Sequence, residues 1–210
     1  MTSNVFKFGK TFWHQLIGTA MGTPCACAYA TIFFAYFERT NLIPRFEKNL
    51  IFYVRFIDDI FGVWEETEEN PTCFEKFKIN LNNQCKLNWK TTTLSKSSDF
   101  LDVTISLINE EIFTRTFKKI ENLFLYITFN SAHPPGLLIS LVTGRLGVYW
   151  EQNTKRKDFI STTKLLFVNL LDRGYSEELL RDIFEKAAER IDDKINGNKN
   201  CQKIGQILQM

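Results

Sequence analysis

The chain has 210 residues and a formal net charge of +2, enough length for a real core in one domain or one and a half. So small a charge does not argue for a nucleic-acid partner by itself, and the absence of low-complexity tracts or short repeats argues against disorder and solenoids. The 5 cysteines are irregularly spaced, without a C-x-x-C pair, and only 2 histidines accompany them. This disfavours a zinc site and suits free thiols in a reducing compartment. The N-terminal "MTSNVFKFGKTFWHQ" lacks the apolar core of a signal peptide, and the most apolar run, Cys25 to Phe37, is too short to span a bilayer. An intracellular, soluble protein with no membrane contact is expected.

Val5 to Phe8 and Phe12 to Gln15 read as two short strands around Gly9-Lys10. The glycine-rich "GTAMGTP", Gly18 to Pro24, leads into a helix, with Thr23 as the expected N-cap and Pro24 as its first residue. This helix should reach about Arg39, where "NLIPRF" breaks it. Its apolar residues lie nearly all round, which predicts cover on most sides. Ile51 to Ile57 and Ile60 to Trp64 form a second expected hairpin, with Asp58-Asp59 at its tip. After the acidic "EETEEN", Asn70-Pro71 opens a helix in which Phe74, Phe77, Lys78 and Leu81 recur at helical spacing. Strands are expected at Lys86 to Thr92, Phe100 to Ile108, Ile112 to Phe117 and Leu123 to Phe129. Three helices follow, Leu137 to Trp150, Asp158 to Leu171 and Ser176 to about Ile195. Gly174 stops the second, and Ser176 with Glu177 and Glu178 starts the third. The reading is α+β: a mixed layer over 1–130, then a helical bundle over 131–210.

The chemistry concentrates in "YVRFIDDIFGVW", Tyr53 to Trp64. Two ionised carboxylates side by side repel, and one takes a proton unless a cation neutralises the pair. A hard divalent ion does this well, since Mg²⁺ takes oxygen ligands and completes its shell with water and substrate phosphates. Asp-Asp is also common at turns simply because Asp tolerates turn geometry. The apolar flanks, however, set this pair on a packed ribbon and raise the electrostatic stakes.

These residues resemble the aromatic-x-Asp-Asp box of reverse transcriptases. "QLIGTAMGTPCACAYATIFFAYFE", Gln15 to Glu38, resembles the preceding block of that fold, a Gln-x-x-Gly loop entering a helix. The wording "GTAMGTP", "AYA" and "YFE" is most similar to Penelope-like retroelements, whose polymerases are relatives of telomerase. "FLDVTI" (Phe100 to Ile105), "FKKIENLFLYI" (Phe117 to Ile127), "SAHP" (Ser131 to Pro134) and "RGYS" (Arg173 to Ser176) fall in that family's order. Together they span Phe6 to about Glu189.

The resemblance implies a polymerase palm with an antiparallel sheet, partial and over 1–130, followed by a helical, helix-turn-helix-like thumb over 131–210. It implies an RNA-directed DNA polymerase acting on an RNA or DNA template with a DNA primer and dNTP. Two Mg²⁺ (or Mn²⁺) ions would serve the complete enzyme. Asp58 would be the principal catalytic metal ligand and Asp59 its more peripheral neighbour. Gln15, Gly18, Ala20, Met21 and Gly22 would line the nucleotide and template pocket, where glycine lets a base pair come close. Arg115, Lys118 and Lys119 would lie near primer phosphate, and Lys155, Arg156 and Lys157 along the duplex. Each basic residue read alone is equally a solvated surface charge.

The match also departs from the family. Cys27 stands where a proline is expected, and Thr31 where an asparagine is. A third carboxylate is expected on a strand upstream of the glutamine loop, yet none of the 14 residues before Gln15 is Asp or Glu. Asp99 and Asp102 fall in the "FLD" strand, which in the family serves packing and positioning and not the first metal shell. The chain alone is therefore expected to be inactive, a portion of a longer polymerase. The alternative is a catalytically inactive nucleic-acid-binding remnant.

Overall fold

In the computed structural model, which describes residues 4–16, 18–20, 22–66, 72–85, 88–134 and 136–196, alternating side chains around Gly9-Lys10 form the first hairpin. Strands β1 (Val5–Phe8) and β2 (Thr11–His14) pair antiparallel, Val5 opposite His14 and Phe8 opposite Thr11. Helix α1 spans Ala26–Phe37, later than the expected cap at Thr23. Two tight turns come first: Thr23 N–H donates to Ala20 O, and Ala26 N–H to Thr23 O. Cys25 then takes the N-cap position without a side-chain bond. Nor does Pro44 break the chain's helical course. A π-helical turn, Glu38–Leu42, runs directly into the short helix α2, Ile43–Phe46. Proline has no N–H for the carbonyl four residues back. In the wider turn just before it, the Ile43 N–H reaches the Glu38 carbonyl instead.

Strands β3 (Leu50–Phe56) and β4 (Asp59–Trp64) form an antiparallel ribbon, bulged between Leu50 and Phe52. Its tip is Ile57-Asp58, not Asp58-Asp59: Asp59 already pairs with Phe56. Ile57 sits at φ 55°, a strained conformation for a β-branched residue. Sequence patterning assigned Ile57 to the strand because it is apolar, and so misplaced the tip by one residue.

Helix α3 (Cys73–Cys85) packs on this ribbon. The expected start signal, Asn70-Pro71, lies outside the described residues. Phe34, Phe37, Leu42, Phe46, Phe77 and Leu81 are buried together, with Tyr53, Ile60, Trp64 and Trp89 against them. Edge-to-face pairs link Phe34 to Phe37, Phe46 to Phe77 and Trp64 to Phe74, the arrangement that ring quadrupoles favour. This core takes up Phe34, Phe37, Phe46, Phe74 and Phe77 of the 20 phenylalanines. Buried Asn49 ties the ribbon's open end: its Nδ2 donates to Glu65 O, and its Oδ1 accepts from the Cys73 thiol. This core reaches α1 from one side only. Tyr29, Ile32, Phe33 and Tyr36 are exposed, which corrects the expectation of cover on most sides.

The second sheet has the order β5 (Ser97–Phe100), β6 (Val103–Ile108), β7 (Glu111–Thr116), all antiparallel. The single strand expected over Phe100 to Ile108 is folded at Leu101-Asp102, with Leu101 at φ 53°. The strand expected from Lys86 is irregular over 88–92; Lys86 itself lies outside the described residues. Leu123 to Phe129 is not a strand either. Phe124 is left-handed, at φ 48°, and the Phe129 N–H bonds Arg173 O rather than a sheet partner.

Helices α4 (Leu137–Gln152), α5 (Arg156–Leu171) and α6 (Glu177–Asn196) follow as expected. Ser176 Oγ accepts the Leu179 N–H at the start of α6. Val142, Leu146, Phe159, Leu166, Leu170, Leu180 and Phe184 form their common core. The sheet is fastened to these helices along β7. Buried Asn153 accepts from the Thr116 N–H and donates to the Tyr149 carbonyl. Thr154 pairs with Thr114 through both backbone and hydroxyl.

The architecture is α+β with small antiparallel sheets. By packing, the chain falls into two compact units, 1–94 and 95–210. The change from strands to helices near Asn130 is a change of element type within the second unit.

Candidate functional site

The Asp58-Asp59 apex is held from beneath by a buried ion pair. Glu38, the first residue of the π-helical turn, is 6 % exposed, and the Arg55 side chain is 5 % exposed. Arg55 Nε donates to Glu38 Oε1 at 2.5 Å and Nη2 donates to Oε2 at 3.0 Å. This is the bidentate fork that suits a carboxylate. The Tyr53 hydroxyl also donates to Glu38 Oε1, at 2.6 Å.

Two further guanidinium donors go to backbone. Nη1 reaches the carbonyl of strained Ile57 at 3.0 Å, and Nη2 the Thr31 carbonyl of α1 at 3.2 Å. The Phe34 ring lies 5.0 Å from the guanidinium carbon, completing its cover. The hydrogen bond to Glu38 holds the Arg55 pKa above its ordinary value. Burial, reinforced by Glu38, pushes the Tyr53 phenol far up, so it stays a donor. Sequence reading overlooked this trio. Its signal was present: a lone arginine inside an apolar strand, and a lone glutamate ending an apolar helix.

An open concavity of about 580 Å³ reaches the turn at Ile57, and its lining includes neither Asp58 nor Asp59. One wall is Cys27, Ala28, Thr31 and Ile32 of α1; the other is Arg55, Phe56 and Ile57. Asp58 is exposed on the turn, and Asp59 is half-buried at the start of β4. The glycine loop feeds the helix that makes the first wall. Gly18 (φ 90°) and Gly22 (φ 88°) are both left-handed, a conformation that suits glycine. The Gln15 backbone N–H donates to Asn4 O, and its side-chain carbonyl accepts from Asn4 Nδ2. Its Nε2 lies where a Cβ on Gly18 would approach within 3.2 Å. Gln15 thus closes the base of the first hairpin, with its side-chain amide next to Gly18. Ala20 is half-buried, and Met21 lies outside the described residues.

The basic candidates all fall in the second unit. Arg115 and Lys119 are exposed on and just after β7. Lys155 caps α5 with its ammonium 4.1 Å from the centre of the Phe113 ring, while Arg156 and Lys157 are exposed. The Thr114–Thr154 bonds therefore bring Arg115 and the 155–157 trio to one junction. Lys118 differs. Its ammonium is buried without a hydrogen bond, 5.1 Å and 5.0 Å from the ring centres of Phe124 and Tyr149. It is turned away from any phosphate at the surface. Burial, with Arg145 nearby, holds its pKa below the ordinary value.

Asp99 accepts from the Thr104 hydroxyl, and Asp102 sits in the β5–β6 turn. Among the described residues no group of three or more His, Cys, Asp or Glu is placed to share a metal ion. An adjacent pair of carboxylates beside an open cleft still fits Mg²⁺, which is bound by one or two carboxylates when phosphates and water supply the rest. Cys25, Cys27 and Cys73 are free thiols. No described helix is long and apolar enough to cross a membrane. No protein-family profile, curated protein or solved structure matches this chain.

Removing one member of a buried ion pair strands the other's charge, at a cost of about 3–5 kcal/mol, whereas replacing both with apolar residues is often neutral. Glu38→Met/Arg55→Met is accordingly expected to unfold at higher urea than Glu38→Met alone; the reverse order of midpoints refutes this account. For Lys118, a folded pKa below the unfolded one means that the unfolded chain holds more protons between the two values. Its contribution to stability therefore rises with pH across that window. Lys118→Met is expected to raise the melting temperature at pH 7, with a gain that shrinks as pH climbs toward the ordinary lysine value.

Proposed function

We propose that this chain supplies palm and thumb parts of an RNA-directed DNA polymerase of the Penelope-like retroelement kind, within the cell. The observation that carries the reading is the exposed Asp58, with Asp59 beside it, at a rigidly held apex next to a cleft walled by α1. Mg²⁺ or Mn²⁺, two ions in the complete enzyme, would supply charge neutralisation at the dNTP phosphates and activation of the primer hydroxyl. In this reading Asp58 is the main oxygen ligand and Asp59 its neighbour. Gln15, Gly18, Ala20 and Gly22 present a low-profile loop to the nucleotide and template base, and the resemblance assigns Met21 to the same pocket. The primer–template duplex runs along Arg115, Lys119 and the Lys155–Lys157 trio.

The test is backbone cleavage by Fe²⁺ and ascorbate in the presence of dNTP. Cuts should cluster at 57–60 and 27–32, be suppressed by Mg²⁺, and vanish in Asp58→Asn. Uniform cleavage, or cuts that survive Asp58→Asn, would overturn the metal role. The chain alone is not expected to extend a primer, because phosphoryl transfer depends on a full set of charges held in place.

The gathering of basic residues where β7 meets α5 favours a second reading, a non-catalytic nucleic-acid-binding module. Duplex retention then rests on phosphate contacts and falls with salt. Replacing Lys155, Arg156 and Lys157 by alanine should reduce the slope of log affinity against log salt by about 2–3. An unchanged slope would remove this surface from both readings. Localised Fe²⁺ cuts favour the polymerase; a lost slope without them favours the binding module.

A further inference from the structure

We propose that Arg55 is the positioning residue of the Asp58-Asp59 apex, acting through the turn backbone rather than by touching the carboxylates. This rests on the proposed metal role of the apex, and concerns which group aims it.

Arg55 stands on β3 directly opposite Ile60, just below the tip. One planar group makes four bonds to three parts of the chain. Two go to Glu38 at the end of α1, one to Thr31 O within α1, and one to Ile57 O in the turn. The first three fix the guanidinium against the helix; the fourth transmits that position to the tip. The Ile57 carbonyl is the peptide oxygen directly preceding Asp58, so restraining it restrains the plane from which Asp58 departs.

Ile57 needs such restraint. A β-branched residue at φ 55° persists only where its surroundings over-determine it. The same guanidinium bonds both walls of the cleft, through Thr31 on one side and Ile57 on the other. It therefore ties the α1 wall to the turn residue that precedes Asp58. Lysine would keep the charge but offers no planar fork, so it cannot hold Glu38, Thr31 and Ile57 together.

Tyr53 shares Glu38 but has no bond to the turn. It separates two roles: a general loss of the buried network, and a specific loss of the apex restraint. Orienting groups behind metal ligands commonly govern affinity at the metal without touching it.

The experiment uses the full chain labelled with ¹⁵N and compares wild type, Arg55→Lys, Glu38→Gln and Tyr53→Phe. Amide hydrogen exchange is measured by NMR, together with broadening of the Asp58 and Asp59 amide signals by titrated Mn²⁺. In Arg55→Lys the Asp59 amide, which pairs with Phe56 across the turn, should exchange about tenfold faster or more, while Val54 and Phe61, lower in the ribbon, stay protected. Mn²⁺ affinity should fall roughly 10- to 100-fold. Glu38→Gln, which keeps an acceptor but loses the charge, should fall between wild type and Arg55→Lys. Tyr53→Phe should match wild type at the apex.

Should Arg55→Lys fail to fold, Glu38→Gln against Tyr53→Phe decides alone. Equal apex exchange in those two overturns the proposal, as does wild-type exchange in a folded Arg55→Lys. If Mn²⁺ leaves the wild-type Asp58 and Asp59 signals sharp, the metal reading fails. Apex exchange then still judges Arg55 by itself.

Discussion

The first unit depends on taking two opposite charges out of water and satisfying both of them. Desolvating a carboxylate and a guanidinium costs several kcal/mol each, and their attraction repays this only with good geometry and further hydrogen bonds. Here Glu38 receives two bonds from Arg55 and one from Tyr53, and the other Arg55 bonds end on backbone carbonyls. Such a pair is weak evidence for stability, since apolar residues of similar size would do as well. It is better evidence for placement. A greasy contact between helix and ribbon could slide; a fork bonded to a carboxylate, a helix carbonyl and a turn carbonyl has one arrangement.

That constraint accounts for the irregular backbone around it. Glu38 must leave α1 at the height of β3, while the chain must turn within a few residues to begin α2 and reach Leu50. The π-helical turn at Glu38–Leu42 does both. It widens the helix just before Pro44, with the Ile43 N–H on the Glu38 carbonyl, and it sets Glu38 at the boundary. The strained Ile57 is the counterpart at the other end, its carbonyl engaged by the same arginine. The second unit uses neutral groups for a similar purpose. Asn153 and Thr154 lie along β7 and occupy its edge with hydrogen bonds, which both shields a strand edge and carries the start of α5 to the sheet.

What the sequence made legible follows from where local signals are strong. The hairpin at Gly9-Lys10 and the helices α4, α5 and α6 were readable, because apolar spacing, Gly174 and Ser176 all pointed the same way. Three of the errors share a cause. Leu101, Phe124 and Ile57 are bulky apolar residues in left-handed conformations, and nothing in an apolar side chain announces a turn. Each was read as strand, and each error moved or invented an element: one strand split, one strand absent, one tip displaced. Pro44 misled in the opposite direction, since it lies in the first turn of α2, where a missing N–H is tolerated. The two aspartates were visible as chemistry, but the group that aims them was not. An arginine one turn from solvent looks like any surface charge until the helix carrying Glu38 is laid against it.

The displaced tip bears on how two adjacent acids could do different work. Neighbours within one strand point to opposite faces, so a pair lying wholly in a ladder would place its carboxylates on two sides of the ribbon. With Ile57-Asp58 as the turn and Asp59 paired to Phe56, the backbone sets the two residues differently. The pleat of β4 and its half-buried surroundings govern Asp59. Asp58 is released from the ladder, exposed, and preceded by a peptide whose oxygen Arg55 holds. The different settings of the two carboxylates thus have a structural origin in one residue of register. That register, in turn, persists because a β-branched isoleucine is kept in a conformation it would leave if its carbonyl were let go.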